Sequence, residues 1–154
     1  MWGDADVVRY IGERPFTREE SWGRLMRQVG HWQLFGFGFW VVREAQGEAY
    51  VGEVGFGDLR RNIEPSFEGF PEIGWALAPS AQRRGYATEA ALAGREWMES
   101  RHGPRRTVCL IAAENTPSIR VATKCGYGEY ARTTYKNSPV ILLERPIAAK
   151  LRVA

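Results

Sequence analysis

The sequence predicts one mixed α/β domain, in which a single layer of sheet carries helices on its faces. Segments with helical and strand-like patterns alternate along the 154 residues. Thr107–Ala112 is a continuous apolar run, as expected of a central strand that is covered on both faces. Glu72–Leu77 is a second strand-like run, which Pro79 stops, and residues that favour a helix follow from Thr88. We expect one domain over residues 1–154.

The first half of the chain predicts two helices and a β-hairpin. Asp6–Gly12 has the pattern of the last turns of a helix, whose beginning is missing from the sequence. A capping-box pattern, Thr17 to Glu20, opens a second helix that we expect to run to about Gly30. The hairpin strands are expected at Trp32–Arg43 and Tyr50–Leu59.

The second half begins with an irregular loop, Arg60–Pro71, of a length that is often functional. Thr116 is expected as the N-cap of the last helix, with Pro117 at its first position. Pro146–Ala154 is expected to fray. The remaining elements are two helices, Tyr86–Arg101 and Thr116–Cys125, and two strands, Tyr127–Tyr135 and Val140–Glu144.

Composition excludes several classes of protein. The net charge of +3 comes without a long Lys/Arg run, so we favour a small anionic ligand over a nucleic-acid partner. No apolar run could span a membrane and the N-terminus has no secretory signal, so we expect a cytoplasmic protein. Cys109 and Cys125 lack metal-ligand spacing, and we expect buried thiols and no metal site.

The stretch from Pro79 to Ala90 predicts a binding site for an anionic group. It joins a strand to a new helix through a loop that contains Arg83, Arg84 and Gly85. Free N–H groups and the positive end of the helix dipole meet at such a helix N-terminus. A glycine in the loop allows close approach of the backbone to a ligand.

Two separated motifs resemble a known family. Gln82–Ala87 is similar to the Gln/Arg-x-x-Gly-x-Gly/Ala signature of the GCN5-related N-acetyltransferase (GNAT) superfamily. Glu114–Tyr127 resembles the Asn-x-x-Ser…Lys-x-Gly-Phe/Tyr segment of its ribosomal-protein N-terminal acetyltransferase (Rim-type) branch, and Val51–Gly55 in the hairpin also fits. The resemblance covers nearly all of the chain after Asp6. It implies a GNAT-like fold, in which a splayed central sheet is flanked by helices.

The resemblance further implies acetyl-CoA as the acetyl donor and an amine as the acceptor. The loop amides would hold the pyrophosphate, the strand before the loop would bind the pantetheine arm through its backbone, and Asn115 would contact the pantetheine or its thioester end. The implied acetyl-CoA-binding residues are Trp75, Ala76, Leu77, Gln82, Arg83, Arg84, Gly85, Tyr86, Ala87, Thr88 and Asn115.

Three residues are candidates for the chemistry. Ser118 occupies the position that resembles the thiol-protonating residue of this branch, where the start of a helix favours developing negative charge. Either Glu72 or Glu53 could take the proton of the amine, through water. We place Glu72 ahead of Glu53.

The chain departs from the family pattern at its start. Family members usually begin with a strand, and this sequence offers no segment for it. The start of the sequence could be trimmed or misassigned, the strand could be truly absent, or a partner could cover the edge of the sheet in its place. Without that strand the Trp32–Arg43 strand has an unpaired aromatic edge, which is an aggregation hazard. We therefore expect this edge to be covered, by a second copy in a homodimer or by the C-terminal tail.

Two alternative functions remain open at this point. A non-catalytic acyl-CoA-binding protein would keep the fold without turnover, and a nucleic-acid-binding module would use the basic charge. The acceptor is also open. Glu64 and Glu68 in the Arg60–Pro71 loop could attract a cationic amine, such as a protein N-terminus, a polyamine or an aminoglycoside, whereas Arg60 and Arg61 could bind the anionic part of an amino acid.

Overall fold

The computed structural model describes residues 1–12 and 14–147. Its helices and strands follow one another in the predicted order. The helices are α1 (Ala5–Val8), α2 (Arg18–Phe35), α3 (Tyr86–His102) and α4 (Thr116–Lys124). The strands are β1 (Phe39–Arg43), β2 (Tyr50–Gly57), β3 (Glu72–Leu77), β4 (Thr107–Ala112), β5 (Gly128–Tyr135) and β6 (Ser138–Arg145).

The first helix begins within the chain, so the prediction that its beginning is missing is wrong. Asp4 is its N-cap, and the Asp4 carboxylate accepts a hydrogen bond from the Asp6 N–H at 2.9 Å. The preceding residues fold back, with the Phe16 N–H donating to the Trp2 carbonyl at 2.9 Å. Because Trp2, Val7 and Val8 are buried against Ala76 of β3, this segment packs on one face of the sheet.

The second helix is longer than predicted. The capping box at Thr17 and Glu20 is present, but the helix runs through Gly30 to Phe35. Its C-cap is Gly36, whose φ of 68° is left-handed, the usual geometry of a helix C-cap glycine. The prediction that a strand starts at Trp32 is therefore wrong, because Trp32–Phe35 are helical and β1 starts only at Phe39.

The six strands form one mixed sheet in the order β1-β2-β3-β4-β6-β5. β1, β2 and β3 are antiparallel neighbours, and so are β4, β6 and β5. Between the two halves, β3 and β4 run parallel and share one pairing, Glu72 with Val108. The strands diverge beyond that point, so the predicted splayed central sheet with flanking helices is confirmed.

The main core lies on the face of the sheet that carries α3 and α4. Phe56, Ile73 and Ala91 are among its fully buried residues. On the opposite face, residues of the loop between β2 and β3, Ile63 and Phe67, cover β4 and β6. The two faces of the central strands are thus covered by different parts of the chain, as the apolar run Thr107–Ala112 predicts.

β1 forms one edge of the sheet, and within residues 1–12 and 14–147 no strand pairs with its outer side. The described residues before α2 form α1, turns and irregular segments but no strand. Most of the tail predicted to fray, residues 148–154, lies outside the described residues, as does any cover that this tail gives to the edge. None of the described helices is long and apolar enough to cross a membrane.

Candidate active site

A cleft of about 1210 Å³ opens where β3 and β4 separate. Its walls include Gly74–Leu77 of β3 and Leu110–Ala112 of β4, and it continues to the loop before α3 and to the start of α4. Ordinary small-molecule sites occupy roughly 300–1,000 Å³. The cleft is larger than this range, so it has room for a ligand longer than an ordinary small molecule.

The backbone of β3 presents alternate residues to the cleft. The Pro71 carbonyl accepts from the Val108 N–H of β4 at 3.0 Å, whereas the Ala78 N–H donates to Val51 of β2 at 2.9 Å. By strand alternation, the polar backbone groups of Trp75 and Leu77 point toward β4. Those of Ala76 point toward its β2 partner, Glu53, so Ala76 lines the cleft without offering backbone groups to it.

The loop before α3 has the geometry of an anion site. Arg83 and Gly85 adopt left-handed conformations, with φ of 63° and 88°. Among the described residues, no protein acceptor is bonded to the N–H groups of residues 83–87, whereas the Thr88 N–H donates to the Gly85 carbonyl at 3.0 Å. A Cβ added to Gly85 would meet no atom within 4 Å. Within the described residues, the amides of residues 83–87 therefore lack a protein partner at the N-terminus of a long helix.

Gln82 and the two loop arginines have different partners. Gln82 Nε2 donates to the Leu77 carbonyl at 3.2 Å and so fastens the loop to the end of β3. Arg83 lines the cleft. Arg84 instead forms an ion pair with Glu44 in the β1–β2 turn region, with Nη1 at 2.8 Å from Oε1.

Tyr86 also turns away from the cleft. Its hydroxyl donates to Glu44 Oε1 at 2.7 Å. This hydrogen bond, with some burial, raises the pKa of Tyr86. Of the loop side chains, those of Gln82, Arg83, Ala87 and Thr88 line the cleft, whereas Arg84 and Tyr86 bind the neighbouring hairpin.

The start of α4 forms the far wall of the cleft. Asn115, rather than the predicted Thr116, is the N-cap, because its side-chain oxygen accepts from the Ser118 N–H at 3.2 Å. Ser118 lines the cleft in the first turn of the helix. Its hydroxyl receives a hydrogen bond from Trp75 Nε1 at 3.3 Å, so a side chain of β3 reaches across to α4.

Glu72 lies where β3 and β4 are still paired. It is 5% exposed, and both carboxylate oxygens accept from Arg61, at 2.5 and 2.7 Å. Burial alone would lower the pKa of Arg61, but its hydrogen bonds to Glu72 and the charge of Glu72 outweigh that effect and raise it. Glu72 and Arg61 both line the cleft. The site therefore holds a buried ion pair beside the apex of the two strands.

Glu53 is held by the N-terminal segment and does not line the cleft. One carboxylate oxygen accepts from Trp2 Nε1 and the other from Arg24 Nη2, both at 3.0 Å. The Arg24 guanidinium also stacks on the Trp2 ring, at 3.8 Å from its centroid. Burial lowers the pKa of Arg24, and the charge of Glu53 opposes this effect.

Sequence reasoning missed Arg61, Arg24 and Trp2 as partners of the two glutamates. Each pair is joined only by the fold, and an acid and a base in distant segments carry no local pattern. The Arg60–Pro71 loop, whose side chains are candidates for binding the acceptor, contributes Arg61 to the cleft. Its acids do not line the cleft, and Glu68 forms an ion pair with Arg60 at 2.6 Å. Within the described part of the chain, no His, Cys, Asp and Glu side chains form a group that could hold a metal.

Comparison with known proteins identifies the family. The family model of the acetyltransferase (GNAT) domain matches residues 1–128. The chain belongs to the GNAT acetyltransferase family. The resemblance of the Gln82–Ala87 and Glu114–Tyr127 motifs to this superfamily is thereby confirmed.

Known GNAT relatives include uncharacterised and solved proteins. The chain is 30% identical over 124 residues to the uncharacterised N-acetyltransferase YnaD of Bacillus subtilis, covering 80% of this chain and 66% of YnaD. A GnaT-family structure from Bordetella pertussis is 35% identical, with a TM-score of 0.81, and the match covers 88% of this chain and 81% of that one. The fold is also shared with RimL, a ribosomal L7/L12 α-N-protein acetyltransferase solved with coenzyme A (18% identity, TM-score 0.68, with 86% of this chain and 75% of that chain covered).

Proposed function

We propose that this protein transfers the acetyl group of acetyl-CoA to a primary amine of a small molecule or of a protein N-terminus. One observation carries the proposal. The strands β3 and β4 separate after a single pairing, and the cleft between them leads to unbonded loop amides at the N-terminus of α3. A ligand with a linear amide-containing arm and a phosphate end matches this arrangement.

The donor would lie along β3. Its pyrophosphate would accept from the N–H groups of residues 83–87, with Arg83 as the nearby cation. The pantetheine arm carries two amides, which suit the backbone groups of Trp75 and Leu77 that have no β4 partner. The coenzyme A bound to RimL supports this assignment by similarity of fold.

The reaction would join the amine nitrogen to the thioester carbonyl carbon and break the carbon–sulfur bond. The leaving thiolate would take a proton from Ser118, which stands at the positive end of the α4 dipole. Ser118 would then recover a proton from water. Asn115 fixes this turn by accepting from the Ser118 N–H, so its contribution would be to position the helix end beside the thioester.

Glu72 is the better candidate for accepting the amine proton, because it lines the cleft and Glu53 does not. Arg61 engages both oxygens of Glu72. A carboxylate oxygen has more than one acceptor position, so a water can bind Glu72 without displacing Arg61. The proton of the amine would pass through that water.

The acceptor end of the cleft favours amines of low charge over polycations. Of the acids at this end, Glu72 pairs with Arg61 and Glu20 pairs with Arg14 at 2.6 Å, so that among the described residues only Asp6 lines it without an ion pair. Trp2, Phe16 and Phe39 add aromatic walls. A polyamine would need several uncompensated acidic groups to hold its second and third charges. A monoamine needs only a place for its reacting nitrogen and apolar side chains around the rest of the molecule.

A panel of amines tests the function. Purified protein is incubated with acetyl-CoA and amino acids, N-terminal peptides, a polyamine or an aminoglycoside, and the release of free CoA thiol is measured. Release that depends on the amine, with the acetylated amine found by mass spectrometry, is the expected result. CoA binding without turnover on any amine would favour the non-catalytic acyl-CoA-binding alternative, and salt-sensitive binding of DNA or RNA without CoA binding would favour a nucleic-acid module.

We also propose that a second copy of the chain covers the edge of the sheet and the outer face of α2. None of the 18 residues of α2 is buried. Trp22 is 61% exposed and Val29 is 58% exposed on this helix, and Val41 on the edge strand β1 is 59% exposed. Exposed apolar groups of this extent, next to an unpaired strand, are typical of an association surface.

A further inference from the structure

One hydrogen bond joins the two sides of the cleft through side chains. Trp75 lies on β3 and Ser118 lies in the first turn of α4, 43 residues apart in sequence. The indole Nε1 of Trp75 donates to Ser118 Oγ at 3.3 Å. Because an indole N–H can only donate, Ser118 Oγ is the acceptor in this bond, and the hydroxyl proton of Ser118 remains available for another partner.

Ser118 differs in this respect from Ser21 and Thr123, two other helical hydroxyls of the chain. A serine or threonine in a helix commonly donates to the carbonyl of the preceding turn. Ser21 does so to Thr17 at 2.9 Å, and Thr123 does so to Ile119 at 3.0 Å. Within the described residues, Ser118 Oγ has only the bond from Trp75. Its proton is therefore not bonded to the backbone and can point into the cleft.

Both partners are held in place. The Ser118 N–H is bonded to the Asn115 side chain, which fixes the first turn of α4. Trp75 is half-buried and packs against the main core, to which Ile119 of α4 also contributes. Opposite Trp75, Val54 of β2 fixes the strand. The indole N–H therefore reaches Ser118 from a strand that is paired along its length with β2.

We propose that Trp75 is a positioning residue for proton transfer, which holds Ser118 Oγ so that its proton faces the thioester sulfur. This inference rests on the proposed function. A hydrogen bond received by Oγ disfavours rotation of the hydroxyl toward the helix backbone. It also stabilises the negative charge that develops on Oγ as the proton leaves. Trp75 thus acts through Ser118, and its indole need not touch the substrate.

The test compares Trp75→Phe, Ser118→Ala and the double variant in steady-state kinetics with acetyl-CoA and the amine identified in the panel. Trp75→Phe keeps an aromatic ring and removes the N–H. Since a neutral hydrogen bond contributes about 0.5–1.5 kcal/mol, we expect kcat to fall roughly 2- to 12-fold with the KM for acetyl-CoA nearly unchanged. In the Ser118→Ala background, Trp75→Phe should cause no further loss. Trp97→Phe is the matched control, because Trp97 is a half-buried tryptophan of the same core that packs on Trp32 and Trp40 instead.

A second measurement does not depend on turnover or on the folding of a Trp75 variant. In ¹H–¹⁵N spectra, the Trp75 indole resonance is assigned through its nuclear Overhauser contacts to the Ser118 β-protons. Ser118→Ala should shift this resonance more than those of the other tryptophans among the 6 in the chain. An unshifted Trp75 resonance, an unchanged kcat in folded Trp75→Phe, or an equal loss in the Ser118→Ala background would each overturn the inference. Wild-type protein that binds CoA but acetylates no amine would instead overturn the proposed function.

Discussion

A carboxylate placed at Gly85 should weaken the binding of CoA through charge repulsion. Gly85 is the N-cap of α3, and a Cβ at this position would meet no atom within 4 Å, so a side chain fits sterically. Its φ of 88° strains any residue with a Cβ. We therefore compare Gly85→Asp with Gly85→Asn, because asparagine has the same shape, tolerates left-handed backbone and carries no charge.

The magnitude follows from the distance between the charges. A carboxylate about 6 Å from a phosphate charge gives roughly 0.7 kcal/mol of repulsion at the dielectric constant of water and roughly 3 kcal/mol at an effective value of about 20. CoA should therefore bind Gly85→Asp about 3- to 100-fold more weakly than Gly85→Asn, as measured by isothermal titration calorimetry. The difference should shrink in high salt, since ions screen exposed charges.

Pantetheine, which lacks the pyrophosphate, is the control ligand. Its affinity should be equal in the two variants, because it brings no phosphate to the loop. Urea unfolding of each variant shows whether the fold is retained. Equal CoA affinities of folded Gly85→Asp and Gly85→Asn at low salt would refute the assignment of the pyrophosphate to this loop.

Three further predictions concern other parts of the molecule. Glu72→Gln should lower the free energy of unfolding by about 2–3 kcal/mol in urea titrations, because it leaves the Arg61 guanidinium half-buried without a counter-charge. Adding Arg61→Met should recover part of this loss. Losses of stability that simply add in the double variant would contradict the pairing. His31 Nε2 accepts from the Asp58 N–H at 2.7 Å, and burial lowers the pKa of His31 despite the Asp58 charge. Because this pKa is lowered, neutral His31 contributes fully to the stability of the fold above the unfolded value of about 6.5, and this contribution is lost as the pH falls through the folded pKa. The urea midpoint should therefore fall more between pH 7.5 and 5.5 in wild type than in His31→Gln. Equal falls would exclude the role of His31. Sedimentation velocity should give a dimer at micromolar concentration and a monomer for Trp22→Asp, with CoA affinity unchanged, and a monomeric wild type would argue against the proposed association.

The fold was predictable where the pattern is local. The continuous apolar run Thr107–Ala112 became a central strand, and the capping box at Thr17 marked a true helix start. The C-terminal end of α2 was not predictable, because its aromatic residues are also typical of strands. In addition, Gly30 is a residue type that commonly follows the end of a helix. Gly36, with its left-handed φ, is the actual C-cap, and only the backbone conformation distinguishes the two glycines.

The sequence indicates that the two motifs belong to one site, but it does not give the contacts of their side chains. The loop and the start of α4 lie on the same cleft, as the two motifs indicate. The sequence cannot separate Arg83 from Arg84, although Arg83 lines the cleft and Arg84 pairs with Glu44. Neither can it show that Arg61 holds Glu72, since that pair forms only when the loop folds back on β3.

Because β3 and β4 share only the pairing of Glu72 with Val108, the stability of the centre of the sheet should depend on the ligand bound between these strands. The six-stranded sheet has two antiparallel halves that share only this pairing, and a bound arm with amides would act as an additional strand between them. Occupancy at 100 times the dissociation constant adds about 2.7 kcal/mol to stability. Under the proposed function, protection of the chain from proteolysis would therefore rise and fall with the concentration of acetyl-CoA in the cell.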